Sequence, residues 1–265
     1  MRQILENFLR KVNFKGKRRL INFLFKEHRY KGVAFLNGYS LKIDTKFSID
    51  WEIYWMGGYE QESISLLDQF IHKNFVCIDV GANIGVYTIP LSQKACKVIA
   101  FEPYFQSLLK ENIVLNKANN ILVREVFLSD KEGEADLFTS AVPSTNNTRT
   151  IVPMFSGIVK EARVKVSTLD KEIRVKVDFI KIDTDGADPN IILGSKNLIE
   201  KHHPIILFEI CGSRTEEYEN VLNRAIEYLK KQKYSLSLIS NKGHLTPFFF
   251  PVVGCETNVL ALPAK

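Results

Sequence analysis

The apolar positions of the chain change rhythm near residue 75. From there, short and almost continuous apolar runs alternate with segments of helical period. Residues 75–80, 97–102, 121–128, 178–183, 204–210, 235–239 and 258–262 have the length and continuity expected of strands, most of them covered on both faces. Residues 85–94, 104–116, 189–200 and 216–231 read as the helices between them. Strands alternating with helices predict an α/β fold built on a doubly wound, mostly parallel sheet. Two weaker runs, residues 135–139 and 164–166, read as short extra strands flanking a loop over 140–160 that is rich in Pro, Ser, Thr and Asn.

Upstream the pattern differs. Residues 33–36 and 39–44 flank Asn37-Gly38, a strong hairpin signal. A segment with Trp51, Tyr54, Trp55 and Tyr59 follows. Residues 61–72 then read as a helix with Ile64, Leu67, Phe70 and Ile71 on one face. In the first 31 residues, Ile4, Leu5, Phe8, Leu9 and Val12, then Leu20, Ile21, Phe23, Leu24 and Phe25, recur at helical spacing. The expected organisation is a helical arm and β-hairpin extension over residues 1–58 and a main domain over 59–265.

Charge sharpens this division. The net charge is +6, yet residues 1–31 alone hold ten basic residues against Glu6 and Glu27. The basicity therefore belongs to the arm. Its plain reading is a helix or two packed on the domain with a solvated basic face. Its sharper reading is peripheral contact with an anionic membrane surface or glycan carrier. No aromatic-interleaved basic sheet or recognition helix follows, so a nucleic-acid partner is not expected. No run approaches the ~20 apolar residues of a membrane span. Charges interrupt the first apolar stretch, which argues against a secretory signal. Cys77, Cys96, Cys211 and Cys255 are scattered without a CxxC pair, so neither a metal finger nor a disulfide framework is expected. The expected compartment is cytoplasmic, with the inner membrane face as the place for peripheral contact.

Candidate chemistry begins at DVGANIG, residues 79–85, where the first main strand passes into a helix. Gly81 and Gly85, with Ala82 and Asn83 between them, allow a tight turn close to a ligand. Glu102 ends the next strand, at the spacing of an acid that binds ribose hydroxyls. The dinucleotide fingerprint needs a middle glycine so that pyrophosphate can approach, and Asn83 stands in its place. Asp79 would also repel an anionic pyrophosphate. S-Adenosylmethionine has no phosphate and carries a sulfonium and an ammonium, which acids suit. The pattern therefore favours S-adenosylmethionine. A nicotinamide-dependent oxidoreductase and a non-catalytic cofactor-binding or docking protein are the alternatives.

DVGANIGVYT (79–88), VIAFEP (98–103), ENIVLN (111–116), LSDKEGEADLF (128–138), STLD (167–170), FIKIDTDGAD (179–188), ILGS (192–195), LFEI (207–210) and NVLALP (258–263) together resemble the FkbM family of S-adenosylmethionine-dependent methyltransferases. The resemblance covers roughly residues 59–265. It implies the class I, Rossmann-like methyltransferase sheet of seven strands with an antiparallel last strand. It also implies O-methylation of a hydroxyl on a saccharide or other natural-product acceptor. The usual family pattern at the fourth strand resembles D-x-E-G-x-E. Here Asp185 and Asp188 stand where the glutamates would, one methylene shorter.

Ligands of open α/β sheets bind beyond the carboxyl ends of the strands. That places Asp183 and Asp185 as the candidate general base or acceptor-orienting groups, with Lys181 on the same strand face as Asp183. Glu209, near the end of the next strand, is the expected counter-charge for Lys181. Asp188 is expected to cap the helix that Pro189 opens. Ser129 and Asp130 are candidate neighbours of the adenine, and Glu60 of the methionine end. A magnesium site on Asp183, Asp185 and Glu209 is a weaker alternative, so no metal is assigned. His244, in the loop before the last strand, could reach the mouth as a rival base, but its plainer reading is an ordinary loop histidine. Asn146, Asn147 and Arg149 in the 140–160 loop, and Phe248 to Phe250 in a later one, are candidate lid residues. The Asn146-Asn147-Thr148 sequon is read as a chance match.

Overall fold

The computed structural model describes residues 2–140, 149–152, 158–240 and 242–264. The arm forms α1 (Arg2–Lys11) and α2 (Lys17–Leu24), and the hairpin is β1 (Lys31–Leu36) and β2 (Tyr39–Asp44). Asn37 and Gly38 both have positive φ, as a two-residue hairpin turn requires. Next come α3 (Ser48–Met56), α4 (Gln61–Leu67), β3 (Val76–Val80), α5 (Thr88–Lys94), β4 (Lys97–Phe101), α6 (Gln106–Leu115) and β5 (Ile121–Arg124). A polar excursion follows, with β6 (Phe127–Leu128), β7 (Gly133–Ser140), β8 (Arg149–Thr150), β9 (Ile158–Ser167) and α7 (Leu169–Glu172). The chain then returns through β10 (Phe179–Ile182), α8 (Asp188–Leu193), α9 (Lys196–His202), β11 (Ile205–Ile210), α10 (Glu216–Lys231), β12 (Tyr234–Ile239), β13 (Leu245–Pro247) and β14 (Thr257–Pro263).

The main sheet runs β13-β12-β14-β11-β10-β3-β4-β5. From β11 to β5 every neighbour is parallel, while β14 is antiparallel to both β11 and β12. All seven expected strands are present, and the short β13 adds an eighth at the edge. Their side chains alternate between two cores. Ile78, Val80, Ile180, Ile182, Ile206 and Phe208 join the core under α8 and α10. Cys77, Phe179, Leu207 and Leu260 join a second core with Leu9, Ile21, Phe25, Leu41 and Trp55. Residues on both sides of position 58 therefore share one apolar cluster.

Three expected elements differ. The strand expected over 121–128 breaks after Arg124, and its end, β6, pairs with β9 in a smaller sheet of order β6-β9-β7-β8. Most of β9 is solvent-exposed, so its sequence lacks the apolar run that marks a core strand. The helix expected over 189–200 divides at Gly194 and Ser195. A Cβ on Gly194 would lie 2.1 Å from the Ser129 carbonyl oxygen, so the chain must bend closely there. Ser195 Oγ donates to the carbonyls of Ile191 and Ile192, and Asp170 accepts from the N–H groups of Asn197 and Leu198. A new helix start is thus capped from a distant residue. Helix α4 ends at Leu67, short of the expected residue 72.

The hairpin is fastened to the main domain by Asn112 of α6 and by Asn116, which follows the last residue of that helix. Asn116 Oδ1 accepts from Ser40 N at 2.8 Å, and its Nδ2 donates to Ser40 O at 2.6 Å. Asn112 Oδ1 accepts from Lys42 N at 2.7 Å, while its Nδ2 donates to Ile84 O at 2.8 Å. Two amides thus satisfy edge groups of β2 that would otherwise be buried without partners.

Candidate active site

Strands β3, β10 and β11 end side by side. Lys181 is aligned with Asp79 on one neighbour and with Leu207 on the other. Its ammonium lies 2.9 Å from Asp183 Oδ2 and 3.7 Å from Asp79 Oδ1, and 4.7 Å above the Tyr87 ring. The expected pairing with Glu209 does not form among the described residues. Glu209 sits one pleat beyond Leu207, while Asp79 and Asp183 flank the lysine directly. Asp79 is wholly enclosed and also accepts from Thr88 Oγ1 at 2.5 Å. Burial raises its pKa, and Lys181 and Thr88 oppose that rise. Burial alone would lower the Lys181 pKa, but Asp183, Asp79 and Glu60 together raise it, so the lysine stays charged.

Three turns meet above this group. Gly81 has φ 76°, and a Cβ there would lie 1.8 Å from the Asp183 carbonyl oxygen. The glycine is thus required by the neighbouring loop as well as by its own dihedral. Asn83, Asp185 and Glu60 are non-glycine residues in the left-handed region, at φ 49°, 53° and 47°. Such backbone strain concentrates at functional sites. Gly85, at φ 102°, faces Leu109 and Ile89 and serves packing; Ala82 beside it is buried. Asp188 does not cap its helix. It accepts from Thr184 Oγ1 at 2.9 Å, from Thr184 N and from Glu209 N, tying the β10 turn to β11.

Three adjoining cavities open here. The first is lined by Gly81, Asn83, Glu102, Tyr104, Phe105, Leu128 and Arg149, together with Asp183 and Asp185. The second, between Tyr59, Tyr87, Lys181, Asp183 and Glu209, also reaches Asn83, Asp185 and Glu256. The third opens outward between Arg18, Phe47, Ser48, Glu52, Tyr59 and Phe105 and again touches Asn83, Asp185 and Glu256. Asn83 and Asp185 line all three. None of the five histidines lines any of them, His244 included.

Glu102 is buried and raised in pKa by burial, against three backbone donors. Its Oε1 accepts from Tyr104 N and Phe105 N, and its Oε2 from Asn83 N, each at 2.8 Å. A carboxylate has about four lone-pair positions, so one on Oε2 is left for a ligand hydroxyl. Glu60, held by Tyr87 Oη at 2.6 Å, is raised by burial and by Asp183. Glu209 is likewise raised by burial, Asp183 and Asp188. Asp185 is pushed up to about 7 by burial and by Asp183, Asp188 and Glu256. Lys181 is the one buried cation facing these acids in the second cavity.

This donor set fits S-adenosylmethionine. It offers a hydroxyl acceptor at Glu102, aromatic walls at Tyr104 and Phe105, and carboxylates where a sulfonium and an ammonium would relieve repulsion. Glu102, Asp183 and Asp185 lining the first cavity are the wrong sign for a pyrophosphate. Ser129 and Asp130 lie beside the first cavity without lining it; Ser129 Oγ donates to Asp130, and its N–H to Ser167 O. Tyr104, Phe105, Tyr59, Tyr87 and Glu256 were not singled out by sequence as site residues. The aromatic pair two residues after Glu102 was the one available signal. Among the described residues no group of three His, Cys, Asp or Glu side chains is arranged to hold a metal ion. Asn146 and Asn147 lie outside the described residues.

The sheet order, the glycine turn after β3, and an acid at the end of each of β3, β4 and β10 define a class I, S-adenosylmethionine-dependent methyltransferase domain. Residues 79–236 match the methyltransferase FkbM domain family, and the chain belongs to it. One curated relative, a probable ribosomal RNA small subunit methyltransferase A of Methanosphaera stadtmanae, is 35% identical over 88 residues, which are 32% of this chain and 31% of that protein. Among solved structures, a methyltransferase FkbM from Methylobacillus flagellatus KT is 19% identical, with 72% of this chain and 44% of that one covered and a TM-score of 0.48. Precorrin-6y C5,15-methyltransferase from Geobacter metallireducens GS-15 is 14% identical, with 78% and 89% covered and a TM-score of 0.45. The chain thus spans less than half the length of the first two of these.

Proposed function

We propose that the chain methylates a hydroxyl of a saccharide or similar natural-product acceptor. The observation that carries this reading is Asp185. It stands where the three cavities meet, in a left-handed turn, with its pKa near 7. A hydroxyl attacking a methyl group must lose its proton, and a general base works best with a pKa near the working pH. S-Adenosylmethionine, when bound, supplies the activated methyl. Glu102 would hold a ribose hydroxyl, Tyr104 and Phe105 the adenine, and Glu60, Glu209 and Asp183 the cationic methionine end. Asp183, fixed by Lys181, positions the turn that carries Asp185. Asp185 takes the acceptor proton. The outward cavity then receives the acceptor between aromatic and polar side chains.

An RNA acceptor is the second reading, since the curated relative is named for ribosomal RNA. The outward cavity counts against it. Asp50, Glu52, Asp185 and Glu256 line it against the single cation Arg18, which disfavours a polyanion.

The test is a labelled-methyl transfer assay on the purified chain, with saccharide glycans and RNA as separate arms. Calorimetry with S-adenosylmethionine and NAD runs in parallel. Label entering saccharide is expected. Asp185→Asn should lower turnover by about 10²–10⁴-fold while S-adenosylmethionine still binds. Label confined to RNA, or binding of NAD alone, would overturn the reading.

A further inference from the structure

The arm is docked by one side only. On α1, Glu6 and Leu9 face inward. Tyr54 Oη donates to the Glu6 carboxylate, and Arg10 Nε donates to Tyr54 O at 3.2 Å with its guanidinium 4.1 Å from the Tyr54 ring centre. On α2, Lys17 and Ile21 face inward. The opposite faces carry large apolar side chains: Ile4 is 75% exposed, Phe8 59% and Phe23 83%. At 100° per residue, Ile4 and Phe8 lie opposite the buried pair of α1, and Phe23 lies opposite Ile21. Exposed Lys11, Lys15, Arg19 and Lys26 surround them, with Glu27 the one exposed acid of the arm.

Exposed aromatic and aliphatic side chains ringed by cations are the chemistry of a helix that lies in the interface of an anionic bilayer. A second copy of the chain would bring cations against cations, so charge complementarity selects the lipid surface. The same α2 also borders the outward cavity. Arg18 lines its mouth, pairs with Glu52 and lies over the Trp51 ring. Arg18 and Phe23 are five residues apart, about 8 Å along a helix axis; for a helix lying in the interface plane that separation is lateral, so the mouth sits beside the docked face.

We propose that the outward faces of α1 and α2 form a docking surface for an anionic lipid bilayer, and that docking sets the mouth of the Arg18-lined cavity against acceptors carried in that bilayer. The second half rests on reading that cavity as the acceptor site. The chain itself then selects lipid-linked acceptors by position, before any contact in the cavity.

The test is flotation of the full chain with vesicles of equimolar phosphatidylcholine and phosphatidylglycerol, against phosphatidylcholine alone, at low and high salt. Binding to the anionic vesicles that weakens with salt is expected. The double variant Phe8→Ser, Phe23→Ser should bind at least about tenfold more weakly while keeping its affinity for S-adenosylmethionine. Both side chains are exposed, so the variant should fold. No flotation at low salt, equal flotation with neutral vesicles, or a variant that floats like the parent overturns the docking surface. So does a parent that self-associates through these residues without binding vesicles. The mouth is read by Trp51, because Trp55 is fully buried. Brominated lipid should quench tryptophan fluorescence of the bound chain, and binding without quenching removes the second half. If vesicles bind but labelled methyl enters no hydroxyl acceptor, the acceptor reading fails and the docking surface stands.

Discussion

In the proposed mechanism Asp185 is the proton acceptor. A proton acceptor must be ionised to work, so activity should follow its titration. The log of kcat/KM should rise with pH below about 7 and level off above it. Asp185→Asn should remove that limb from whatever activity persists, as read in a pH–rate profile. Gly81 makes a separate point. Its positive φ and its contact with the Asp183 carbonyl leave no room for a methyl group. Gly81→Ala should cost about 2–5 kcal/mol in denaturant unfolding. Sequence identified this glycine, but for ligand approach; the neighbouring loop is an equal cause. It also identified Asp183 and Lys181, because a charge beside an apolar run needs a partner. It named the wrong partner because strand register is not visible from one strand.

At the scale of elements, the core strands were legible because burial on both faces leaves continuous apolar runs. The smaller sheet was poorly legible for the opposite reason. Its β9 exposes Glu161, Arg163 and Lys165; Arg163 bridges to Glu134 of β7 at 2.8 Å and Glu161 to Arg149 of β8 at 2.9 Å. The break between α8 and α9 was hidden because its cause, the approach of Gly194 to Ser129, is tertiary. Asn112 and Asn116 show a motif whose role becomes clear only in three dimensions. They read as part of a helix, yet they hold the β2 edge. Replacing both with alanine should loosen the hairpin. Each lost pair of buried hydrogen bonds costs about 1–3 kcal/mol. Hydrogen exchange should speed up selectively at Ser40 and Lys42, with β10 amides unchanged.

For the whole molecule, buried acids with raised pKa values set much of the pH dependence of stability. Asp185 and Asp50 are pushed up to about 7 and Asp188 to about 6, each first by burial, from an ordinary value near 3.8. Between those values the folded chain holds protons that the unfolded chain has lost. Their stabilising contribution is complete below about 3.8 and is lost as pH rises through 6 to 7. Asp44 works in the other direction. Its hydrogen bond with Arg29 lowers its pKa, so its contribution is lost in acid. Tm should therefore be highest in mild acid and fall toward pH 8. Asp50→Asn should flatten that fall in a calorimetric series.

Strand β14 threads between β11 and β12, and β12 joins the sheet only through it among the described residues. The same passage brings Glu256 to the cavities. Synthesis is vectorial, so a nascent chain that lacks residues 257–263 cannot seat β12, however complete its glycine turn and its acids are. Glu256 and β14 leave the ribosome almost together, after every other strand of the main sheet. The Glu256-lined cavities and the closed sheet are therefore completed in one event, so a chain stalled before that point exposes the flank of β11 and should be recognised as unfolded.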